Sequence, residues 1–76
     1  MEGRPTAVAS PWIELNGSRR AWIEGQTVAG LLDELGIDPR IVAVECNGAL
    51  VRRPDFAGRA LGPGDRVEIV RFVQGG

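Results

Sequence analysis

The residues with the clearest chemical use are the last two, Gly75 and Gly76, which follow Gln74 and an apolar run, Val67 to Val73, that reads as a strand. A tail whose final residues lack side chains can thread a tunnel too narrow for a Cβ. It can then deliver its α-carboxylate to chemistry inside another protein. Glycine makes up 11 of the 76 residues, so a Gly-Gly end by itself is a weak signal. The rest of the chain must decide.

Other reactive constellations are missing from the sequence. There is no histidine and no tyrosine, and the one thiol, Cys46, has no imidazole to activate it. Cys46 falls in the inward phase of its strand with Val42 and Val44 and reads as a buried small hydrophobe. Asp33, Glu34 and Asp38 show no recurring metal-ligand spacing and read as a solvated helix face and loop. Gly62-Pro63-Gly64-Asp65 lacks the Lys-Ser/Thr of a phosphate loop and precedes a strand instead of a helix. Arg52-Arg53 reads as exposed charge at a strand end.

Seventy-six residues allow one domain, close to the lower size limit for a core without staples. A single cysteine excludes an internal disulfide and fits a reducing compartment. A net charge of −1 argues against nucleic acid as a partner. All nine basic residues are arginine, so no side-chain amine exists to accept an isopeptide bond. No stretch approaches the ~20 apolar residues of a membrane span, and residues 1–10 lack a signal-type apolar core. The expectation is a cytoplasmic protein with no membrane partner, built as a flexible arm (1–10), a folded body (11–72) and a flexible tail (73–76).

The body is well punctuated. Trp12-Ile13-Glu14-Leu15 alternates as a strand, and Asn16-Gly17 is a two-residue hairpin turn before a return strand over Arg19 to Ile23. That turn sets Glu14 opposite Arg19 and puts Ile13, Leu15 and Trp22 on one face, with Trp12 outside. Arg20 falls in the inward phase and must snorkel at the sheet edge. Val28, Leu31, Leu32 and Leu35 form the apolar stripe of one helix, with Thr27 as N-cap and Gly36 as C′. Gly30, inside that helix, points to a close approach by a neighbour.

A second pair follows: Ile41 to Cys46, the turn Asn47-Gly48, and a return over Ala49 to Arg52. Arg53 to Leu61 reads as irregular, with one short turn at Asp55-Phe56-Ala57, before the final strand Arg66 to Phe72. The order ββαβββ, with one helix covering one face, is an α+β layer pair. Its single helical crossover implies a mixed sheet of four to five strands, first and last side by side and parallel in the centre.

This layout is that of the β-grasp, or ubiquitin-like, fold. The chain further resembles the bacterial sulfur carrier proteins of thiamine biosynthesis over residues 12–76. The segments that carry the resemblance are IELNG at 13–17, GQTVAGLLDELG at 25–36, VAVECNGALVRR at 42–53 and LGPGDRVEIVRFVQGG at 61–76. The related small subunits of molybdopterin synthase also end in Gly-Gly, but carry a Pro-Pro before it and a longer connection after the helix. Phe72-Val73-Gln74 has no proline, and the connection here is only Gly36 to Arg40.

The resemblance implies a carrier and not an enzyme. A ubiquitin-activating-like enzyme would adenylate the Gly76 carboxylate. A cysteine desulfurase or other sulfur donor would convert it to a thiocarboxylate, and thiazole synthase would take the sulfur. A C-terminal carboxylate, with a pKa of about 3.3–3.7, is anionic and a poor electrophile until joined to AMP. The ATP and Mg²⁺ for that step belong to the partner, since the chain is expected to bind no cofactor and no metal. Gly75 and Gln74 would thread the activating site. A ubiquitin-like protein modifier, or an inert interaction module, is the alternative class.

Docking needs a surface. If Glu68 points outward, Val70 and Phe72 share its face, and the same parity exposes Ile41, Ala43 and Glu45 on the adjacent strand. Val70, Phe72 and Ala43 are therefore the expected partner-binding patch.

Overall fold

The Asn-Gly turns govern the architecture of the computed structural model, which describes residues 11–72. Asn16 and Asn47 adopt positive φ (48° and 54°), and Gly17 and Gly48 follow at 85° and 86°, the pattern of a type I′ turn. Each turn closes an antiparallel hairpin: β1 (Trp12–Leu15) with β2 (Ser18–Ala21), and β3 (Val42–Cys46) with β4 (Ala49–Val51). Glu14 lies opposite Arg19, as the two-residue loop requires. The last strand, β5 (Arg66–Arg71), enters between the hairpins, giving a five-stranded sheet of order β2-β1-β5-β3-β4. It runs parallel to β1 and antiparallel to β3. The arm 1–10 and the tail 73–76, with Gln74, Gly75 and Gly76, lie outside the described residues.

One α-helix, α1 (Val28–Leu35), covers one face of the sheet. Thr27 caps it, its hydroxyl accepting from the Gly30 N–H at 3.1 Å, and Gly36 ends it in the left-handed region. Val28, Leu31 and Leu32 are buried against Ile13, Val42, Val44, Cys46 and Val67. Burying each such aliphatic side chain contributes about 1.5–3 kcal/mol before conformational entropy is charged against it. Trp22 packs on this core and donates its indole N–H to the Leu61 carbonyl at 2.8 Å, while Trp12 stays 40% exposed.

The structure departs from the sequence reading in five places. Arg53–Gly58 is a 3₁₀ turn instead of irregular chain, and its Phe56 is a core residue. Backbone bonds from Val28 N–H to Arg59 and from Leu61 N–H to Gln26 (both 2.9 Å) draw this segment beneath the start of α1. Ile41 is not an outer-face residue. It ends a 3₁₀ turn, Pro39–Ile41, so strand parity does not reach it, and it packs against the core. Gly30 meets no close neighbour: a Cβ there would find only Gln26 and Thr27, at 3.5 and 3.6 Å. Glu34 is not simply solvated, because Arg20 reaches across from β2 and pairs with it at 3.0 Å. Finally, β2 stops at Ala21, two residues before the expected end.

Candidate functional site

β5 is the element that leads into the tail, and it is held on both sides. Toward β3 the ladder runs from Cys46–Val67 to Val42–Arg71, and the Phe72 N–H donates to the Ile41 carbonyl at 2.8 Å. Phe72 therefore continues the strand register instead of fraying. On the other side, β1 pairs only as far as Leu15–Val67. Beyond it the Asn16 side chain takes over, with Nδ2 donating to the Ile69 carbonyl and Oδ1 accepting from the Ile69 N–H. Asn47 acts similarly at the start of β5. Its Oδ1 accepts from the Arg66 N–H at 2.9 Å, and its Nδ2 donates to Asp65 Oδ1 at 3.0 Å.

Alternation along β5 decides which side chains face away from α1. Val67 is fully buried and Ile69 packs on the core, whereas Val70 and Phe72 are 57% and 49% exposed. Val70 lies directly opposite Ala43. The three residues named from the sequence are thus brought together on the outer face, at the end of the sheet from which the tail departs. Leu50, 65% exposed, belongs to the same face and escaped the sequence reading. Its signal was available: the Asn47-Gly48 turn pairs it with Glu45, whose outward phase it must share. A groove of about 620 Å³ lies alongside, with Ala43, Leu50, Phe72, Pro39 and Pro54 in its walls and Arg52 and Arg53 among its lining.

Further from the tail the same face turns polar. Glu14 stands between Arg19 on β2 and Arg66 on β5, an alternating row of charge, and Glu45 faces Glu68 across β3 and β5. Arg19 also lies over the Trp12 ring, 5.6 Å from its centroid.

Little else in the body is equipped for reaction. Cys46 is buried, and burial pushes its thiol pKa up, away from the thiolate that nucleophilic chemistry needs. Asp65 is partly buried, which raises its pKa. The Gly62 N–H, the Asn47 amide and Arg59 outweigh that effect and hold the carboxyl below its ordinary value, as befits a turn brace. Asp38 caps the turn at Pro39, and hydrogen bonds from Arg40 bring it down to about 2. Among the described residues, no three His, Cys, Asp or Glu side chains converge where they could hold a metal ion, and no helix is long and apolar enough to cross a membrane.

A mixed sheet gripping one helix, with a central last strand that ends in an exposed apolar patch, defines a β-grasp protein. The chain matches the ThiS family over residues 13–76 and belongs to that family. It is 45% identical over 62 residues to a thiazole synthase of Paramagnetospirillum magneticum, a match covering 82% of this chain and 19% of that protein. A thiazole synthase of Magnetococcus marinus is 42% identical over 64 residues. The chain spans about a fifth of the length of these two relatives. The sulfur carrier protein ThiS of Thermus thermophilus is 39% identical over 62 residues, which cover 82% of this chain and 95% of that one. Among solved structures, the thiamine biosynthesis protein (ThiS) from Geobacter metallireducens superposes with a TM-score of 0.72 at 30% identity, over 86% of this chain and 99% of that one. The four segments that carried the resemblance all lie within the family match.

Proposed function

We propose that this chain is a sulfur carrier of thiamine biosynthesis whose reactive group is the α-carboxylate of Gly76. The observation that carries this reading is the extent of the family match, which takes in the Gly-Gly tail together with the folded body. The near full-length similarity to the Thermus thermophilus sulfur carrier supports it, and favours the thiamine pathway over that of molybdopterin. In the proposed sequence a partner enzyme of the ubiquitin-activating type uses ATP and Mg²⁺. A carboxylate oxygen attacks the α-phosphorus, pyrophosphate leaves, and the acyl carbon becomes a mixed anhydride with AMP as leaving group. The terminal sulfur of a cysteine desulfurase persulfide displaces AMP, and a second thiol cleaves the resulting acyl disulfide to leave the thiocarboxylate. Charge developing on phosphate must be stabilised by the partner, so the chain acts as substrate and not as catalyst.

Thiazole synthase is the proposed sulfur acceptor. Two proteins of that name carry a segment similar to this chain within a chain about five times as long, which supports a working association. Val70, Phe72 and Ala43 form the proposed docking patch for the activating enzyme, and Gly75 and Gln74 the segment that threads its active site. The reducing cytoplasm is the expected setting for such sulfur chemistry. The test is the intact mass after incubation with a matched activating enzyme, ATP, Mg²⁺ and a sulfur donor. Replacement of one oxygen by sulfur is expected. A covalent adduct of high mass would instead favour a protein modifier, and an unchanged mass would overturn the carrier.

A further inference from the structure

The sheet has two outer edges, β2 and β4, and they are finished differently. On β4, the two-residue Asn47-Gly48 loop makes Cys46–Ala49 and Val44–Val51 the pairs that exchange backbone hydrogen bonds with β3. Leu50 lies between them, opposite Glu45, so its N–H and C=O both point away from the sheet. Neither group bonds to another described residue. Ala49 is exposed although it falls in the inward phase, and Leu50 is 65% exposed. After Val51 the chain turns away, the Asp55 N–H donating to the Arg52 carbonyl at 2.8 Å. β2 is guarded instead, with Arg19 and Arg20 on a four-residue strand and Arg20 tied to Glu34.

A groove flanks β4 on either side, and Leu50 and Val51 line both. The one on the inner side, of about 460 Å³, is walled by Ala49, Asp55, Gly58 and Arg59. The other is the apolar groove shared with Ala43 and Phe72, where Arg52 and Arg53 are exposed and ion-paired to no described residue. We propose that the edge of β4 is a strand-addition site for an extended, acidic segment of a partner protein. The segment runs antiparallel to β4, because only then do the N–H and C=O of Leu50 meet one and the same residue. Side chains on either side of that residue enter the inner groove. The residue two positions before it falls opposite Arg52, whose backbone is still extended, and a carboxylate there meets the guanidinium. A second copy of this chain is a poorer occupant, since Ala49, Leu50 and Val51 bring no carboxylate to the arginines. The site is separate from the tail chemistry and does not depend on the carrier reading.

The test is titration of the isotope-labelled full chain with the peptide acetyl-Asp-Glu-Val-Val-Val-Thr-amide, followed by amide shifts and hydrogen exchange. Shifts should centre on Ala49–Arg53 and on Asp55–Arg59, and exchange at the Leu50 amide should slow at least tenfold. A peptide with Lys-Lys in place of Asp-Glu should bind at least tenfold more weakly. R52E/R53E should reverse that preference. Leu50→Pro removes the outward N–H at a position where an edge strand tolerates proline, and it should weaken binding at least tenfold. The charge-reversed variant keeps the test decisive if the proline variant does not fold. Shifts confined to Ser18–Ala21 or to Val70 and Phe72, no shift at millimolar peptide, or equal affinity for the two peptides would each overturn the proposal. Concentration-dependent protection of Leu50 without peptide would assign the edge to a second copy and overturn it as well.

Discussion

Asn16 gives Ile69 both of the hydrogen bonds that a neighbouring strand would have supplied, donating from Nδ2 at 3.2 Å and accepting at Oδ1 at 2.8 Å. The side-chain amide thus acts as one extra peptide unit of β1, placed where β1 has already turned away. The residue that the type I′ turn needs for its positive φ is also the one that fastens the exit strand.

Asn16→Gly keeps the turn conformation and removes only this clamp. Unfolding by urea should show a loss of about 1–2 kcal/mol, the worth of two hydrogen bonds at a partly solvated site. Asn16→Asp should cost at least as much, because its second oxygen would face the Ile69 carbonyl. Amide exchange at Ile69 should rise selectively in both variants, and unchanged protection there would refute the clamp.

Gly30→Ala should stabilise the protein. The position is helical, a Cβ there makes only ordinary contacts, and glycine in a helix interior costs about 1 kcal/mol relative to alanine. A gain of about 0.5–1 kcal/mol in thermal or chemical denaturation is expected. A loss would mean that the methyl group disturbs the Thr27 cap.

Asp65→Asn addresses the acid limb of stability. The folded-state pKa of Asp65 lies below the ordinary carboxylate value, so ionised Asp65 contributes stability above the unfolded pKa and loses it as pH falls through the folded pKa. The variant should be less stable by about 1 kcal/mol at pH 7, where the carboxylate braces Gly62, Asn47 and Arg59. The difference should shrink steadily below about pH 4. Asp38, still paired with Arg40 in both proteins, cancels from the comparison. A gap independent of pH would assign the effect to packing instead of charge.

Val70→Glu and Phe72→Glu place a charge on exposed positions of the outer face, so the thermal midpoint should move by no more than a degree or two. Association with a matched activating enzyme should weaken at least tenfold, about 1.4 kcal/mol. Calorimetry of both properties on the same samples separates them. Unchanged affinity in both variants would remove this patch from the proposed interface.

Gly75→Val and deletion of Gly76 should leave the unfolding curve unchanged and abolish adenylate formation. Deletion shortens the reach by roughly 3.5 Å, and a misplacement of about 1 Å can already cost a hundredfold in rate. Pyrophosphate release at wild-type rates from the Gly76 deletion would sink the carrier proposal.

The hairpins and the helix were readable from the chain because each is specified locally. A two-residue Asn-Gly loop leaves one register, so Glu14–Arg19 followed from counting, and the stripe Val28, Leu31, Leu32, Leu35 admits one buried face. Phe56 was not readable. It stands alone in a stretch without period, and its burial depends on the bridge between Thr27 and Ala60, more than thirty residues apart. Ile41 was misplaced because parity counts only while the backbone stays extended, and Asp38-Pro39 starts a 3₁₀ turn that ends at Ile41 itself. The pairing of Glu34 with Arg20 likewise needs the helix laid across the sheet before it can be seen. Of the proposed site, the patch at Val70, Phe72 and Ala43 was legible as strand alternation, whereas Leu50 required the β3–β4 register to be carried one step further.

The position of β5 also governs how the chain acquires its fold. Each hairpin forms from neighbouring residues, yet the two halves of the sheet meet only through the last strand, whose contacts with β1 join residues 14 and 66. Isolated hairpins are at best marginal in water. A nascent chain lacking residues 66–71 therefore holds β2-β1 and β3-β4 as unconnected, open-edged pieces around a half-built core. Folding should be all-or-none and limited by this long closure, slower than its small size alone would imply. The proposed docking surface comes into being in the same event, because Val70 and Phe72 lie on, and just after, the strand that completes the sheet.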